Sequence, residues 1–548
     1  MPMQKLSIKS LYGAGLLFIF TWVLLQSCSY EQLIAWLSEH YALSHTQSQK
    51  LQELFPPWRW HTARVIIAAG TSLLFGMLPY ACRKSKELAY CLHIETQSIL
   101  NFYKNSPQAR IIVLLLPLFT GIWYAFEIAR FPLPHIDEAF GYVHLIRRGV
   151  LVCLTYYPGP NHHVLYNLCA ALLDKFLPAF WAVKLPSLLT VVALGMLLTD
   201  TALRRWKLSP PIAALLPVAF HGIEGVMVYA GLGRAYILHG FWVAFALRLL
   251  PALGHSILAR RFFVCVNCLA FYTLPTHLYA WLALAAACAW GYGFRRRWLI
   301  WMHLQVIFFT TLLYAPFVLT QGWLFWQSPF IASMTRAEWF RWFPAYLWSV
   351  MLFLFGNPFM LMLWGGVLIT YTLSLKFKVI SFTKEDKAIF CLLIIPWIVT
   401  AVQGLQPPAR IWLFLALPFW WMLGRTASGT HRHGTGLVVV CAAAAMWLQS
   451  DYALSFSDRW QSYFALSKAI EAIPRQAGCV ETHDDWIYTT LLYKKHTEQK
   501  DWQLGYPPQK PPCPTRASYL ILPRSNAPMA AGGRLVYVNA FFAVYEKN

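Results

Sequence analysis

IIVLLLPLFTGIWYAFEIARFPLPHIDEAFGYVHLIRRG, residues 111–149, decides the fold. Its first part, Ile111 to Ala129, is an apolar run close to the ~20 residues that cross a bilayer. Just beyond it stand two adjacent carboxylates, Asp137 and Glu138. Acids at a bilayer edge are costly to bury and idle if merely solvated, so they mark a functional-site hypothesis by default.

The rest of the chain agrees. Its 548 residues are 58% hydrophobic and only 12% charged, against roughly 25% charged in a soluble domain. With a mean hydropathy of +0.47 and apolar runs recurring along its length, it reads as an integral membrane protein rather than a large soluble enzyme. A net charge of +22 would suggest nucleic acid for a soluble protein. Here Lys and Arg collect in short alternate loops, so the lipid bilayer is the expected partner and nucleic acid is not. Many of the 26 tryptophans lie near run ends, where amphipathic rings favour the interface. Most of the twelve cysteines sit inside apolar runs as small hydrophobes. Cys265 and Cys268 form a CxxC with no His or carboxylate nearby, which argues against zinc. The opening MPMQKLSIKS-LYGAGLLFIFTWVLL resembles a signal peptide, but no A-x-A-like cleavage site follows, so it reads as an uncleaved first span.

Apolar length places about thirteen spans, near 11–29, 62–82, 111–130, 178–199, 211–222, 233–253, 262–274, 276–292, 298–319, 346–374, 388–405, 409–424 and 435–450. No internal repeat is evident, which counts against an inverted-repeat transporter. The basic loops, among them RRWKLSP, LARRFF, GFRRRW, KFKVISFTKEDK and GRTASGTHRHG, belong in the cytoplasm. The opposite set holds the Asp137 loop, HGIEGVMVYAGLGR, Gln321–Pro344, QGLQPPAR and everything after Ser450. The external loop 131–177 patterns as two amphipathic helices, Asp137–Arg148 and His163–Phe176, around the breaker YYPGP. The polar tail 451–548 reads as helix (Arg459–Ile473), strand (Cys479–Thr482), helix (Asp485–His496) and strands at Ser518–Leu522 and Arg534–Tyr545. Cys479 and Cys513 there are either bridged or free in a disulfide-permissive compartment. The expected architecture is an all-α polytopic membrane protein with a small extracytoplasmic α/β C-terminal domain. It divides into 1–110 (an added pair of spans and a cytoplasmic linker), 111–450 (the membrane module) and 451–548.

The external loops pool Asp137, Glu138, Asn161, His162, His163, Glu224, Arg234, Tyr236, Arg336, Arg341 and Arg410. A carboxylate can act as general base toward a hydroxyl. Arg and His can hold a phosphate, Arg in bidentate fashion. A phosphate leaving group needs cations where its charge develops. The set fits group transfer from a lipid phosphate carrier; solvated loop charges are the plainer alternative, of about equal weight.

The order of motifs resembles a family. After the Asp-Glu loop come YYPGPNHHVLYNLCAALL, a span beginning FWAVKLPSLL, then VMVYAGLGRAYILHGFW, TLPTHLYAWLALA and QPPARIWLFLALPFW before the tail. Over about residues 111–450 this is similar to the GT-C membrane glycosyltransferases. Within them it resembles the glycosyltransferase family 39 group, with its protein O-mannosyltransferases and the aminoarabinose transferase of lipid A. The resemblance implies an inverting transfer from a polyprenyl-phosphate-linked sugar to an extracytoplasmic lipid, protein or polysaccharide acceptor, in a bacterial inner or cell membrane. It implies Asp137 as base and Glu138 as the adjacent acid. Asn161-His162-His163-Val164-Leu165-Tyr166 stands where relatives carry Asn-His-Pro-Pro-Leu-Tyr or Glu-Lys-Pro. The missing Glu-Lys argues against an aminoarabinose-type substrate and leaves His162 and His163 as phosphate contacts. Arg234 and Tyr236 match the family's Ala-Arg-x-Tyr, and Arg410 matches an Arg opening a late span; the plainer role for Arg410 is snorkelling to headgroups. His277 reads as packing, and Glu127 with Arg130 as a local helix pair. Gln321–Pro344 reads as a lid. No cofactor is called for, and a divalent metal is left open. The rivals are a transporter or flippase, which would place its charges near mid-membrane, and a non-catalytic glycolipid-binding relative.

Overall fold

The computed structural model describes residues 29–40, isolated positions between 49 and 65, and most of 93–447, with gaps at 130–134, 158–161, 322–332 and 430–433. In the tail it describes 461–474, 479–498 without 483, 500, 502–505, 518–523, 534–538 and 542–547. The expected spans at 11–29 and 62–82 fall almost wholly outside these residues, as do Arg130, Asn161, Cys513 and positions 322–332 of the expected lid. Two compact units result. One comprises 1–106, 154–160 and 311–328; the other comprises 107–153, 161–310 and 329–548. The first includes the helix Tyr30–His40 and an edge contact between Tyr157 and Phe317 at 5.6 Å. The second carries the candidate site.

In the second unit the apolar stretches become helices, because a helix satisfies its own backbone polar groups where no water can. The helix Pro107–Ala129 points Leu115, Phe119, Ile122 and Phe126 outward, an apolar stripe suited to lipid. Its other face packs on Ala179–Asp200. Gly195 permits the approach, since a Cβ there would stand 3.0 Å from Cβ of Pro117; small residues of this kind bring membrane helices together. The helix Ala416–Gly429 buries nearly every side chain from Ala416 to Gly424, as an all-round apolar helix in a core must.

The expected count of about thirteen spans is not confirmed by the described residues. Among the described residues five helices are long and apolar enough to cross a membrane: Pro107–Ala129, Ala179–Arg205, Tyr236–Gly254, Arg297–Val318 and Pro358–Lys376. A sixth is the pair Pro210–His221 and Glu224–Gly231, bent by 77°. Ile257–Thr273 and His277–Tyr292 are shorter, at 17 and 16 residues. The run read as 346–374 is two helices, Arg336–Phe355 and Pro358–Lys376. Gly356 ends the first at φ +80, and Asn357 caps the second by accepting from Met360 N at 2.9 Å, with Pro358 at its first position. The reading by length passed through that Gly-Asn-Pro signal. Arg336 and Arg341, expected in the lid, lie on the first turns of the helix opened by Thr335.

Lys184 and Asp200 are both on the helix Ala179–Asp200, about 24 Å apart at ~1.5 Å per residue. Lys184 stands at the candidate site. Asp200 stands in a second charged cluster, among the loops expected in the cytoplasm. There Arg204 reaches Asp200 at 2.9 Å and Arg248 reaches it at 3.4 Å. Arg205 pairs with Glu385, and Asp386 takes Tyr371 Oη at 2.7 Å and Arg425 at 3.4 Å.

The tail forms a five-stranded sheet in the order β2-β1-β3-β5-β4. β1 (Cys479–Thr482) runs parallel to β2 (Gln503–Gly505) and β3 (Ser518–Pro523). β5 (Phe542–Lys547) is antiparallel to β3 and to β4 (Arg534–Val538). The single strand expected at 534–545 is thus a hairpin, and the three-residue β2 is too short to show a period. The helices Gln461–Glu471 and Asp485–Thr497 cover the sheet around Leu466, Ile470, Val480, Leu491, Trp502 and Ile521. Cys479 is disulfide-bonded. The helix Asp485–Thr497 also packs on Ile136–His144: the buried Tyr493 ring lies 5.4 Å from Tyr142 and shares a core with Ala139, Val143 and Leu145.

Candidate active site

The expected helix at Asp137 begins at Ile136 and ends at His144. His135 caps it. Its Nδ1 accepts from Asp137 N at 3.2 Å, and its backbone N donates to Glu138 Oε2 at 2.6 Å, a capping box that uses two orphan donors. The two acids then part. Glu138 is 2% exposed and takes Lys184 Nζ on both oxygens, at 2.6 and 2.8 Å. It also accepts from Gly233 N. A Cβ at Gly233 would collide with Glu138 and Val183, so only glycine lets the backbone come this close. Lys184 Nζ further donates to Gly231 O at 3.2 Å. Glu138 is therefore a buried strut that ties the helix to Ala179–Asp200 and to the 231–234 turn.

Asp137 keeps 22% of its side chain exposed, and its Oδ2 lies 2.7 Å from Arg234 Nη1. His135 Nδ1 is 3.9 Å from the same oxygen; burial pulls that imidazole below its ordinary range despite Glu138 and Asp137 nearby. Arg234 is 3% exposed and lies over the Tyr236 ring at 5.7 Å. Its turn is held by Ser187, which donates to Leu232 O at 2.8 Å and to Arg234 O at 3.2 Å. Tyr166 supports Ser187 from 3.1 Å and donates to Val183 O at 2.7 Å. Arg410 opens the short 3-10 turn Ala409–Leu415. It is hydrogen-bonded to Tyr236 and within electrostatic reach of Tyr229 and Asp137. Tyr229 and Tyr236 meet edge to face at 4.7 Å.

The two histidines have different surroundings. His162 is fully buried: its Nε2 donates to Cys153 O at 2.9 Å, and its Nδ1 accepts from Asn167 Nδ2 at 2.9 Å. Burial lowers its pKa to about 4. Both nitrogens are engaged by the protein, so the expected phosphate contact has no donor left on this ring. His163, 2% exposed, stacks edge-on to Tyr236 at 5.3 Å, and among the described residues neither ring nitrogen has a hydrogen-bond partner. Burial, then Arg234, His162 and Arg410, hold it well below the ordinary histidine range. An imidazolium form of either ring at ordinary acidity does not fit this burial, so any contact His163 makes is that of a neutral ring.

Asp137, His163, Arg234, Tyr236 and Arg410 thus come together, while Glu138 and His162 serve the scaffold. Two arginines face one accessible carboxylate, and Glu138 with Lys184 is neutral as a pair. The site carries a surplus positive charge, of the kind that can hold an anion. Lys184 was not singled out from the sequence. Its signal was a lone Lys inside an apolar span, which demands a buried partner. Glu224 lies against Gly356. His277 donates from Nε2 to Asn267 Oδ1 at 3.0 Å and accepts from His239 Nε2 at 3.0 Å, a buried internal chain. Among the described residues no three His, Cys, Asp or Glu side chains are grouped as a metal cage.

This architecture is the GT-C fold of polytopic membrane glycosyltransferases. The chain is similar to ArnT from Cupriavidus metallidurans bound to undecaprenyl phosphate, at TM-score 0.52 and 11% identity, over 79% of this chain and 97% of that one. It is similar to the apo state of the same protein at TM-score 0.53 and 11% identity, over 78% and 97%. No family model and no curated protein sequence matches the chain.

Proposed function

We propose that this integral membrane protein is an inverting glycosyltransferase that moves a sugar from a polyprenyl phosphate to an extracytoplasmic acceptor, with Asp137 as base. The observation that carries the reading is the convergence of Arg234 and Arg410 on the partly exposed Asp137, within a GT-C fold. Asp137 takes the proton of an acceptor hydroxyl or amine. The acceptor atom attacks the anomeric carbon on the face opposite the phosphate. The bond from that carbon to the phosphate oxygen breaks, and the electron pair leaves with polyprenyl phosphate. Arg234 and Arg410 meet the charge that grows on that oxygen, where preorganised cations act most strongly. A polyprenyl carrier is supported by the undecaprenyl phosphate bound to the ArnT structure. An outer location of site and tail, in a bacterial inner membrane, is supported by the loop charges and by the disulfide at Cys479. The acceptor is a lipid, protein or polysaccharide of the envelope.

The test is purified protein in nanodiscs given radiolabelled sugar on undecaprenyl phosphate, with envelope extract as acceptor. Release of free undecaprenyl phosphate with label in the acceptor is expected. Binding without release would leave a glycolipid-binding protein, and movement of intact donor across a vesicle membrane would leave a flippase.

A further inference from the structure

His163 is a polar side chain that the described residues leave without a hydrogen-bond partner. It is 2% exposed, and both its ring nitrogens lack partners among the described residues. Its neighbour His162 has both satisfied. Buried polar groups in native proteins are nearly always paired, and an exception asks for a reason. The ring rests edge-on against Tyr236 at 5.3 Å, the residue that also carries Arg234 over its face and Arg410 on its hydroxyl. His163 therefore sits beside the phosphate-binding arginines.

A neutral imidazole offers one N–H donor and one lone-pair acceptor. A phosphate oxygen accepts only. It could satisfy the N–H and would leave the lone-pair nitrogen without a donor. Two arginines already supply the charge a phosphate needs. Sugar hydroxyls both donate and accept, so neighbouring hydroxyls beside the anomeric phosphate can accept from one nitrogen and donate to the other. We infer that His163 is a specificity-determining residue that hydrogen-bonds a hydroxyl of the donor sugar, so that the donor carries a free hydroxyl next to its anomeric carbon, as the common hexoses do. This rests on the transferase reading above and narrows its donor.

The experiment measures binding of undecaprenyl phosphate, and of its glucosyl, galactosyl and mannosyl derivatives, to the full chain in nanodiscs. The wild type should bind at least one hexosyl derivative about tenfold or more tightly than undecaprenyl phosphate. His163→Phe keeps the aromatic contact with Tyr236 and should abolish that increment while changing undecaprenyl phosphate affinity less than about twofold. His163→Gln restores a donor and an acceptor and should recover part of it. Equal weakening of undecaprenyl phosphate and hexosyl derivative by His163→Phe would make His163 a phosphate contact. An increment that persists in His163→Phe, or no increment in the wild type, would also overturn the inference. If wild-type protein binds hexosyl undecaprenyl phosphate through His163 but never transfers the sugar, the transferase reading fails alone.

Discussion

Lys184→Met tests the strut beneath the site. The ammonium lies 2.6 Å from Glu138 Oε1, with side-chain exposures of 6% and 0%. At that separation an effective dielectric of 20 gives a gross attraction of roughly 6 kcal/mol, and desolvating the two ions costs several kcal/mol each. The intact pair therefore contributes little net stability. Breaking it is another matter, because Met leaves Glu138 charged and buried with only the backbone N–H groups of His135 and Gly233. The expected loss is about 3–5 kcal/mol, a factor of roughly a hundred to several thousand at ~1.4 kcal/mol per tenfold. Glu138→Gln strands the ammonium instead and should also destabilise. The double variant Lys184→Met/Glu138→Gln removes both charges and should recover roughly 1–3 kcal/mol relative to the sum of the singles. The assay is thermal unfolding of the four proteins in nanodiscs at one fixed scan rate, since large membrane proteins unfold irreversibly. A Lys184→Met protein that melts with the wild type, or a double variant whose loss is the plain sum, would refute the buried strut.

Asp137→Asn preserves shape and removes the proton acceptor, so turnover should fall by roughly 10²–10⁴-fold with donor binding retained; near-native turnover would leave Asp137 a structural partner of Arg234 and not the base. Arg234→Ala or Arg410→Ala should weaken undecaprenyl phosphate binding by about ten- to a hundredfold, from charged hydrogen bonds of roughly 1.5–3 kcal/mol, whereas headgroup snorkelling of Arg410 predicts unchanged affinity. His162 has a folded pKa of about 4 against ~6.5 unfolded. The unfolded chain therefore binds the extra proton first. Stability is whole above about pH 6.5 and declines toward pH 4, by up to roughly 3 kcal/mol. His162→Gln should flatten that slope in pH-dependent melting, and an unchanged slope would place the acid sensitivity elsewhere. Tyr493→Ala empties the core shared with Tyr142 and should cost about 3–5 kcal/mol, read as easier proteolysis between the tail and the membrane helices.

The membrane class and much of the strand–helix order of the tail were legible because each rests on local chemistry. Apolar length, loop charge and residue period are written along the chain. Helix breaks were less legible: Gly356-Asn357-Pro358 carried a stop and a start, but the surrounding hydrophobicity masked it. The identity of Asp137 and Glu138 as special residues came from their place at the end of an apolar run. Their division of labour did not. Two adjacent carboxylates differ only in direction, and direction was decided by what stood opposite: Arg234 for one, and Lys184 with the Gly233 backbone for the other. The same holds for His162 and His163, neighbours in sequence whose burial and partners came from Cys153, Asn167 and Tyr236. A chain states which residues it has; the pairings made across 46 and 95 positions depend on helices meeting in space, and those only the tertiary structure decided.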